Sequence, residues 1–217
     1  MSDMLDIEST KADPDVISVI QRIAEVSCEL SEIISRGNLH EVLNASTGIN
    51  SDGDSQKKLD LIADQAYFSG LIDSDVKYYA SEEKEALHRL NSSGSLGIAI
   101  DPLDGSSNID TNVSIGSIFS IRRICGDSSQ DLEEAKKFFL QPGRNQVAAG
   151  YIIFGPQTIL VMTTGHGVQQ YVLDRSIKKF CLTKENTRIP EDTKEYAVNA
   201  SNARHWSRAM KTYIEDS

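Results

Sequence analysis

The sequence lacks what would suit it to a nucleic acid, a membrane or an oxidising compartment. Basic residues are in deficit: 22 Lys and Arg stand against 32 Asp and Glu, giving a formal net charge of −10 and a pI near 4.9. Nucleic acids and anionic lipid surfaces are gripped by basic patches, so neither is an expected partner. Long hydrophobic runs are missing as well. The longest apolar stretches, such as Val147 to Phe154, fall far short of the roughly 20 residues that cross a bilayer. The N-terminal Met1-Ser2-Asp3-Met4-Leu5-Asp6 is acidic and carries no signal-peptide pattern, so a cytoplasmic location is expected. Cys28, Cys125 and Cys181 are odd in number, widely spaced and without metal-type neighbours, which reads as reduced thiols. His40, His88, His166 and His205 are scattered without ligand spacing and read as surface or turn residues. An anionic substrate would therefore need a metal or local basic groups.

What the sequence does have is enough apolar residue, 39% of 217, to bury one substantial core, with perhaps the start of a second domain. One stretch stands out, residues 98–110, which read Ile-Ala-Ile-Asp-Pro-Leu-Asp-Gly-Ser-Ser-Asn-Ile-Asp. A β-prone run from Leu96 to Ile100 is expected to stop at Asp101, releasing Asp101 and Asp104 together with a Gly-Ser-Ser turn. Carboxylates at the end of a buried strand are expensive to keep ionised unless a hard divalent cation such as Mg²⁺ sits among them. Gly105 permits a tight turn, and the N–H groups of Gly105, Ser106 and Ser107 can then face an anion beside the cation. Asp-Pro and Asp-Gly are also common turn pairs, and each fragment alone reads as an ordinary loop. The unbroken string favours the site, because a simple turn needs neither the second Asp nor three hydrogen-bonding residues after the Gly.

The string Asp-Pro-Leu-Asp-Gly-Ser-Ser-Asn-Ile-Asp from Asp101 to Asp110 resembles the signature of the class I fructose-1,6-bisphosphatases. These belong to the wider group of Mg²⁺-dependent, lithium-sensitive sugar and inositol phosphatases. The fold this implies is a layered α/β (α+β) sugar-phosphatase domain, a mixed, largely antiparallel sheet flanked by helices. Residues 1–200 would form the metal-binding domain and 201–217 a terminal helix leading toward a second domain.

Taken in order, Asp13-Pro14 is a good helix start, and Val16, Ile17, Ile20, Ile23, Val26, Leu30, Ile33 and Ile34 follow at helical spacing until Gly37. A helix packed on a sheet is sufficient for these residues. In the resembled family a helix here contributes to an AMP inhibitory site. Ser95-Leu96, however, stand where AMP-inhibited members carry a basic-aromatic pair. Residues 38–55 turn polar and Gly/Ser/Asn-rich, a long loop. The family's loop closes over the metals, and its Gly-Asp and Lys-Lys-Leu-Asp match Gly53-Asp54 and Lys57 to Asp60. Asp54 or Ser55 could equally cap the helix running through Leu59, Ile62, Ala66 and Leu71.

Val76 to Ala80 reads as a short strand ending in Ser81-Glu82-Glu83. Such a pair is usually a solvated helix start. Here the family supplies one metal ligand and one acid that positions the attacking water. Ile115 to Ile121 reads as a core strand and Asp131 to Leu140 as a short helix. The segment Gln141-Pro-Gly-Arg-Asn-Gln-Val-Ala-Ala-Gly-Tyr151 resembles fructose bisphosphatases more than inositol monophosphatases. Val147–Phe154, Thr158–Thr164 and Val168–Leu173 read as hairpin strands, and Lys194–Val198 as another. Asn199 matches a residue that contacts the phosphate at the non-reacting end of the sugar, without the Glu-Gly-Tyr that often follows it. A helix from Arg204 to Ile214 would bury Trp206, Met210 and Ile214.

The resemblance thus implies Mg²⁺-dependent hydrolysis of the 1-phosphate of fructose 1,6-bisphosphate, with Mn²⁺ or Zn²⁺ as substitutes for Mg²⁺. Glu82, Asp101, Asp104 and the Leu103 carbonyl would hold metal, helped by Asp54. Glu83 with Asp60 would orient and deprotonate water, and Asp104, Gly105, Ser106, Ser107 and Asn199 would bind substrate. A homo-oligomer, as a homotetramer, is expected, in gluconeogenesis or the Calvin cycle. The alternatives are a phosphatase of inositol phosphates or nucleotide bisphosphates, and a non-catalytic piece that acts only in association, since the family's second domain would follow Ser217.

Overall fold

The computed structural model describes residues 11–37, 54–124, 132–195 and 197–216. Of Asp54 to Lys57, Glu133 and Glu134, only the backbone is described. The expected lid over residues 38–53, the Asp54 side chain, His40 and Cys125 therefore lie outside the described residues. Contacts divide the chain into two units, Met1–Thr187 and Arg188–Ser217.

The first unit is built on an eight-stranded sheet. Helix α1 (Pro14–Arg36) starts where Asp13-Pro14 places it and ends at Gly37, whose N–H bonds the carbonyls of Ile33 and Ile34. Helix α2 spans Asp54–Leu71. The strands are β1 (Val76–Ser81), β2 (His88–Arg89), β3 (Leu96–Asp104), β4 (Ile115–Arg123), β5 (Gln146–Phe154), β6 (Thr158–Thr163), β7 (Val168–Asp174) and β8 (Lys179–Lys184). Their order is β2-β1-β3-β4-β5-β6-β7-β8, with β1 and β3 parallel and every other neighbouring pair antiparallel. This is the expected mixed, largely antiparallel sheet flanked by helices.

Period-two burial explains the layers. Leu96, Ile98 and Ile100 of β3, and Ile115, Phe119 and Ile121 of β4, face one core, where they meet Val19, Ile20, Ile23 and Leu30 of α1 and Leu59, Ala63, Tyr67 and Leu71 of α2. The Val, Leu, Ile and Phe side chains among them each contribute about 1.5–3 kcal/mol when fully buried. On the other face a smaller cluster joins Tyr78 and Leu87 to Ala135 of helix α3 (Leu132–Phe139). Gly97 lies directly under that helix: a Cβ there would come within 2.4 Å of the Phe138 ring.

Several expectations are corrected. Strand β3 continues past Asp101 to Asp104, because β4 goes on pairing with it across a register shift between those two residues. His88 is not a turn residue but half of β2, its ring 5.5 Å from that of Phe68 in an edge arrangement. Among the described residues of the second unit there is no strand over 194–198, and a strand without a neighbour to pair with has no ladder to hold it. The terminal helix is broken: a 3₁₀ segment covers Ala200–His205, Trp206 is extended, and helix α4 covers Arg208–Asp216. Trp206, Met210 and Ile214 are half-buried, the face that their spacing predicts.

Candidate active site

The parallel pairing of β1 and β3 places the ends of both strands together, Ser81 opposite Ile100. Glu82 and Glu83 leave β1 where Asp101 begins the last part of β3, and the Glu82 N–H donates to the Ile100 carbonyl at 3.0 Å. Carboxyl ends of adjacent parallel strands are where an α/β sheet presents its site. Beyond Asp104, Gly105 adopts the left-handed conformation (φ 78°, ψ 24°) and opens a 3₁₀ turn over Ser106–Asn108. The Asn108 N–H closes that turn on the Gly105 carbonyl at 2.8 Å.

The electrostatics show which acids share the site. Burial pushes the Asp60 carboxyl up, a hydrogen bond from the Ser106 side chain opposes this, and the charge of Glu82 adds to it. Burial likewise raises Asp101, opposed by the Leu103 N–H and reinforced by Asp104, Glu82 and Asp60. Glu83 lies at the surface, yet partial desolvation of its carboxyl raises it, followed by repulsion from Asp60, Glu82, Asp101 and Asp64. Of the acids expected from sequence, Asp60, Glu82, Glu83, Asp101 and Asp104 thus act on one another across a single patch.

Like charges gathered this way favour a cation. The Asp60 Oδ1 atom is buried and receives no hydrogen bond, an acceptor that a bound cation would satisfy. The donors are all hard carboxylate or carbonyl oxygens, the kind that suits Mg²⁺. Among the described residues no three of His, Cys, Asp or Glu stand close enough to hold an ion between them. The donor set therefore fits in chemistry, and the ligating geometry requires the side chains to draw together.

Two contributors escaped the sequence reading. Asp64, one helical turn after Asp60 and 3% exposed, accepts from the Tyr79 hydroxyl at 3.0 Å and pairs with Lys84 at 2.5 Å. The Lys84 ammonium also sits 4.4 Å from the centre of the Phe68 ring. This draws the one basic residue in the Ser81-Glu82-Glu83-Lys84 turn onto α2. The spacing of four between Asp60 and Asp64 is the signal in the sequence that puts both on one helix face. The Gln141–Tyr151 segment is anchored by buried Arg122, whose guanidinium donates to the carbonyls of Gln141 and Pro142, both at 3.2 Å.

Asn199 belongs to the second unit, where its side chain accepts from the Ser201 N–H at 3.0 Å and caps the 3₁₀ segment. Beside the acids, on the face of the sheet away from α1 and α2, runs a groove of about 650 Å³ lined by Ala99, Ile118, Ala149, Tyr151 and Val161 among others, with Glu82 and Asp101 at its end.

In sequence and fold the chain is similar to known proteins. The model of the fructose-1,6-bisphosphatase N-terminal domain matches residues 5–185. A class 1 fructose-1,6-bisphosphatase of Cereibacter sphaeroides is 46% identical over 202 residues, covering 93% of this chain and 59% of that protein. One of Bradyrhizobium sp. is 43% identical over 216 residues, covering 100% of this chain and 61% of that protein. The crystal structure of Leishmania major fructose-1,6-bisphosphatase in holo form superposes with a TM-score of 0.83 at 36% identity, covering 94% of this chain and 64% of that one. The chain thus spans about three fifths of the length of these relatives.

Proposed function

Since the chain belongs to the fructose-1,6-bisphosphatase N-terminal domain family, we propose that it carries the metal-holding and phosphate-binding part of an enzyme that hydrolyses the 1-phosphate of fructose 1,6-bisphosphate. The observation that carries this reading is the patch of mutually repelling acids at the paired ends of β1 and β3, next to the Gly105 turn. Glu82, Asp101, Asp104 and the Leu103 carbonyl would hold Mg²⁺, with Asp54 assisting. The ion supplies charge neutralisation at phosphate and a lowered pKa for water.

The chain's own groups do the rest. Glu83 and Asp60, whose carboxyls are both raised by desolvation and by the neighbouring acids, orient the attacking water and take its proton. The Ser106 side chain favours the charged form of Asp60, which links the phosphate-binding turn to the proton acceptor. The N–H groups of Gly105, Ser106 and Ser107 meet the phosphate oxygens. The protein works as a homo-oligomer on a sugar bisphosphate. No helix among the described residues is long and apolar enough to cross a membrane. A substrate panel tests the assignment: with Mg²⁺ present, phosphate release from fructose 1,6-bisphosphate should exceed release from inositol 1-phosphate and from a nucleotide bisphosphate. Equal or reversed preference overturns it in favour of the wider phosphatase group.

A second reading is favoured by one observation, the apolar groove beside the acids, with Ile118 47% exposed and Tyr151 42% exposed. On that reading the chain acts by associating through this face rather than by turnover. Self-association in a sedimentation series, together with cation binding and no phosphate release, supports it.

A further inference from the structure

We propose that Ser117 and Tyr67 are positioning residues that set the orientation of Asp101 for cation binding, through the peptide group joining Pro102 to Leu103. The inference rests on the reading of Asp101, Leu103 and Asp104 as cation ligands. It starts from the break in the β3–β4 ladder: Asp101 pairs with Ile118 and Asp104 with Gly116, which leaves Pro102 and Leu103 together opposite Ser117. In place of a ladder bond, the Ser117 hydroxyl donates to the Pro102 carbonyl at 2.7 Å. The Tyr67 hydroxyl donates to Ser117 Oγ at 3.0 Å, and Ser27 Oγ lies 2.9 Å from the Tyr67 hydroxyl. Ser27, Tyr67 and Ser117 are each 0% exposed, so no solvent replaces a lost partner.

The far end of the same peptide is held by the site itself. The Leu103 N–H donates to Asp101 Oδ1 at 3.1 Å. A peptide group is planar, so a rotation that moves its carbonyl moves its N–H as well. The buried relay from α1 and α2 therefore reaches a ligand carboxylate through one rigid unit, leaving the other Asp101 oxygen for a cation. Without the Ser117 hydroxyl, a buried carbonyl loses its donor and the peptide gains by turning toward another partner. Asp101 then loses the N–H that orients it.

The test is a Mn²⁺ titration of the whole 217-residue chain, read by the electron paramagnetic resonance signal of the free ion, with melting temperature measured separately without cation. Ser117→Ala should weaken Mn²⁺ binding by about tenfold, the lower range for loss of an outer-shell orienter. Ser117→Thr, which keeps the hydroxyl, should restore binding. Tyr67→Phe keeps the ring and should weaken binding several-fold, and it decides the matter if Ser117→Ala does not fold. Lower melting temperatures with unchanged Mn²⁺ affinity in Ser117→Ala and Tyr67→Phe would reduce the relay to a core contact and overturn the inference. Failure of the unmodified chain to bind Mn²⁺ is distinguishable from that, because it removes the cation reading and this inference with it.

Discussion

At the scale of single residues, the acids that stand in one string could be singled out as candidates, and the partners brought in from afar could not. Asp101, Asp104 and Gly105 stand in one string, and the left-handed conformation of Gly105 is the one its position required. Asp64, Lys84, Tyr67 and Ser117 announce nothing in isolation, since each acquires its role from a partner many residues away. Two predictions belong here. Lys84→Met should cost about 3 kcal/mol in a denaturant melt, because Asp64 would be left buried without its cation. Replacing both, as Lys84→Met with Asp64→Leu, should recover part of that loss, the remainder being the buried Tyr79 hydroxyl left without its carboxylate acceptor. If Lys84→Met alone melts like the parent, the pair is not a clamp.

The second concerns Asp15, in the first turn of α1, whose carboxyl is held at about 2, chiefly by the hydrogen bond from Arg123 of β4. A carboxyl lowered on folding stabilises the protein above its unfolded pKa, and the gain is lost as pH falls through the folded value. A shift from 3.8 to about 2 sets a ceiling near 2 kcal/mol, and with the side chains of Asp15 and Arg123 26% and 32% exposed, about 1 kcal/mol is expected. Asp15→Asn should therefore be less stable by that amount at neutral pH, with the difference closing between about pH 4 and 2. A difference that stays constant with pH would show that the charge is not responsible.

At the scale of elements, what could be read depended on whether local signals and pairing agreed. Helix α1 carried a cap, a proline and a glycine stop around one apolar stripe, and its bounds match. Strand β3 was read too short because Pro102 and two acids look like a terminus, whereas the antiparallel partner β4 carries the strand across them. Residues 194–198 have a strand-like composition, but a strand exists only when it has a neighbour. Strand β8 went unread because its alternation is weak, and it forms because β7 pairs with it. The sheet also predicts one sensitive packing point: Gly97→Ala should cost about 1–3 kcal/mol, since its methyl group would press the Phe138 ring off the sheet. A calorimetric melt with no change would mean that Phe138 swings aside freely.

At the scale of the molecule, the chain joins a well-buried core on one side of its sheet to a half-covered apolar face on the other. The groove there should bind a hydrophobic dye, and Ile118→Lys should diminish the fluorescence without disturbing the core, because Ile118 points away from it. Unchanged dye binding would place the exposed apolar surface elsewhere. The acids at the ends of β1 and β3 are proposed to hold Mg²⁺ for phosphate transfer to water. The most direct test is phosphate release from fructose 1,6-bisphosphate with and without Mg²⁺, compared between the unmodified protein and Asp104→Asn. Release should need Mg²⁺ and fall by at least about a hundredfold in the variant, as loss of a metal-holding carboxylate demands. Release that is independent of Mg²⁺, or equal in the two proteins, would contradict this role.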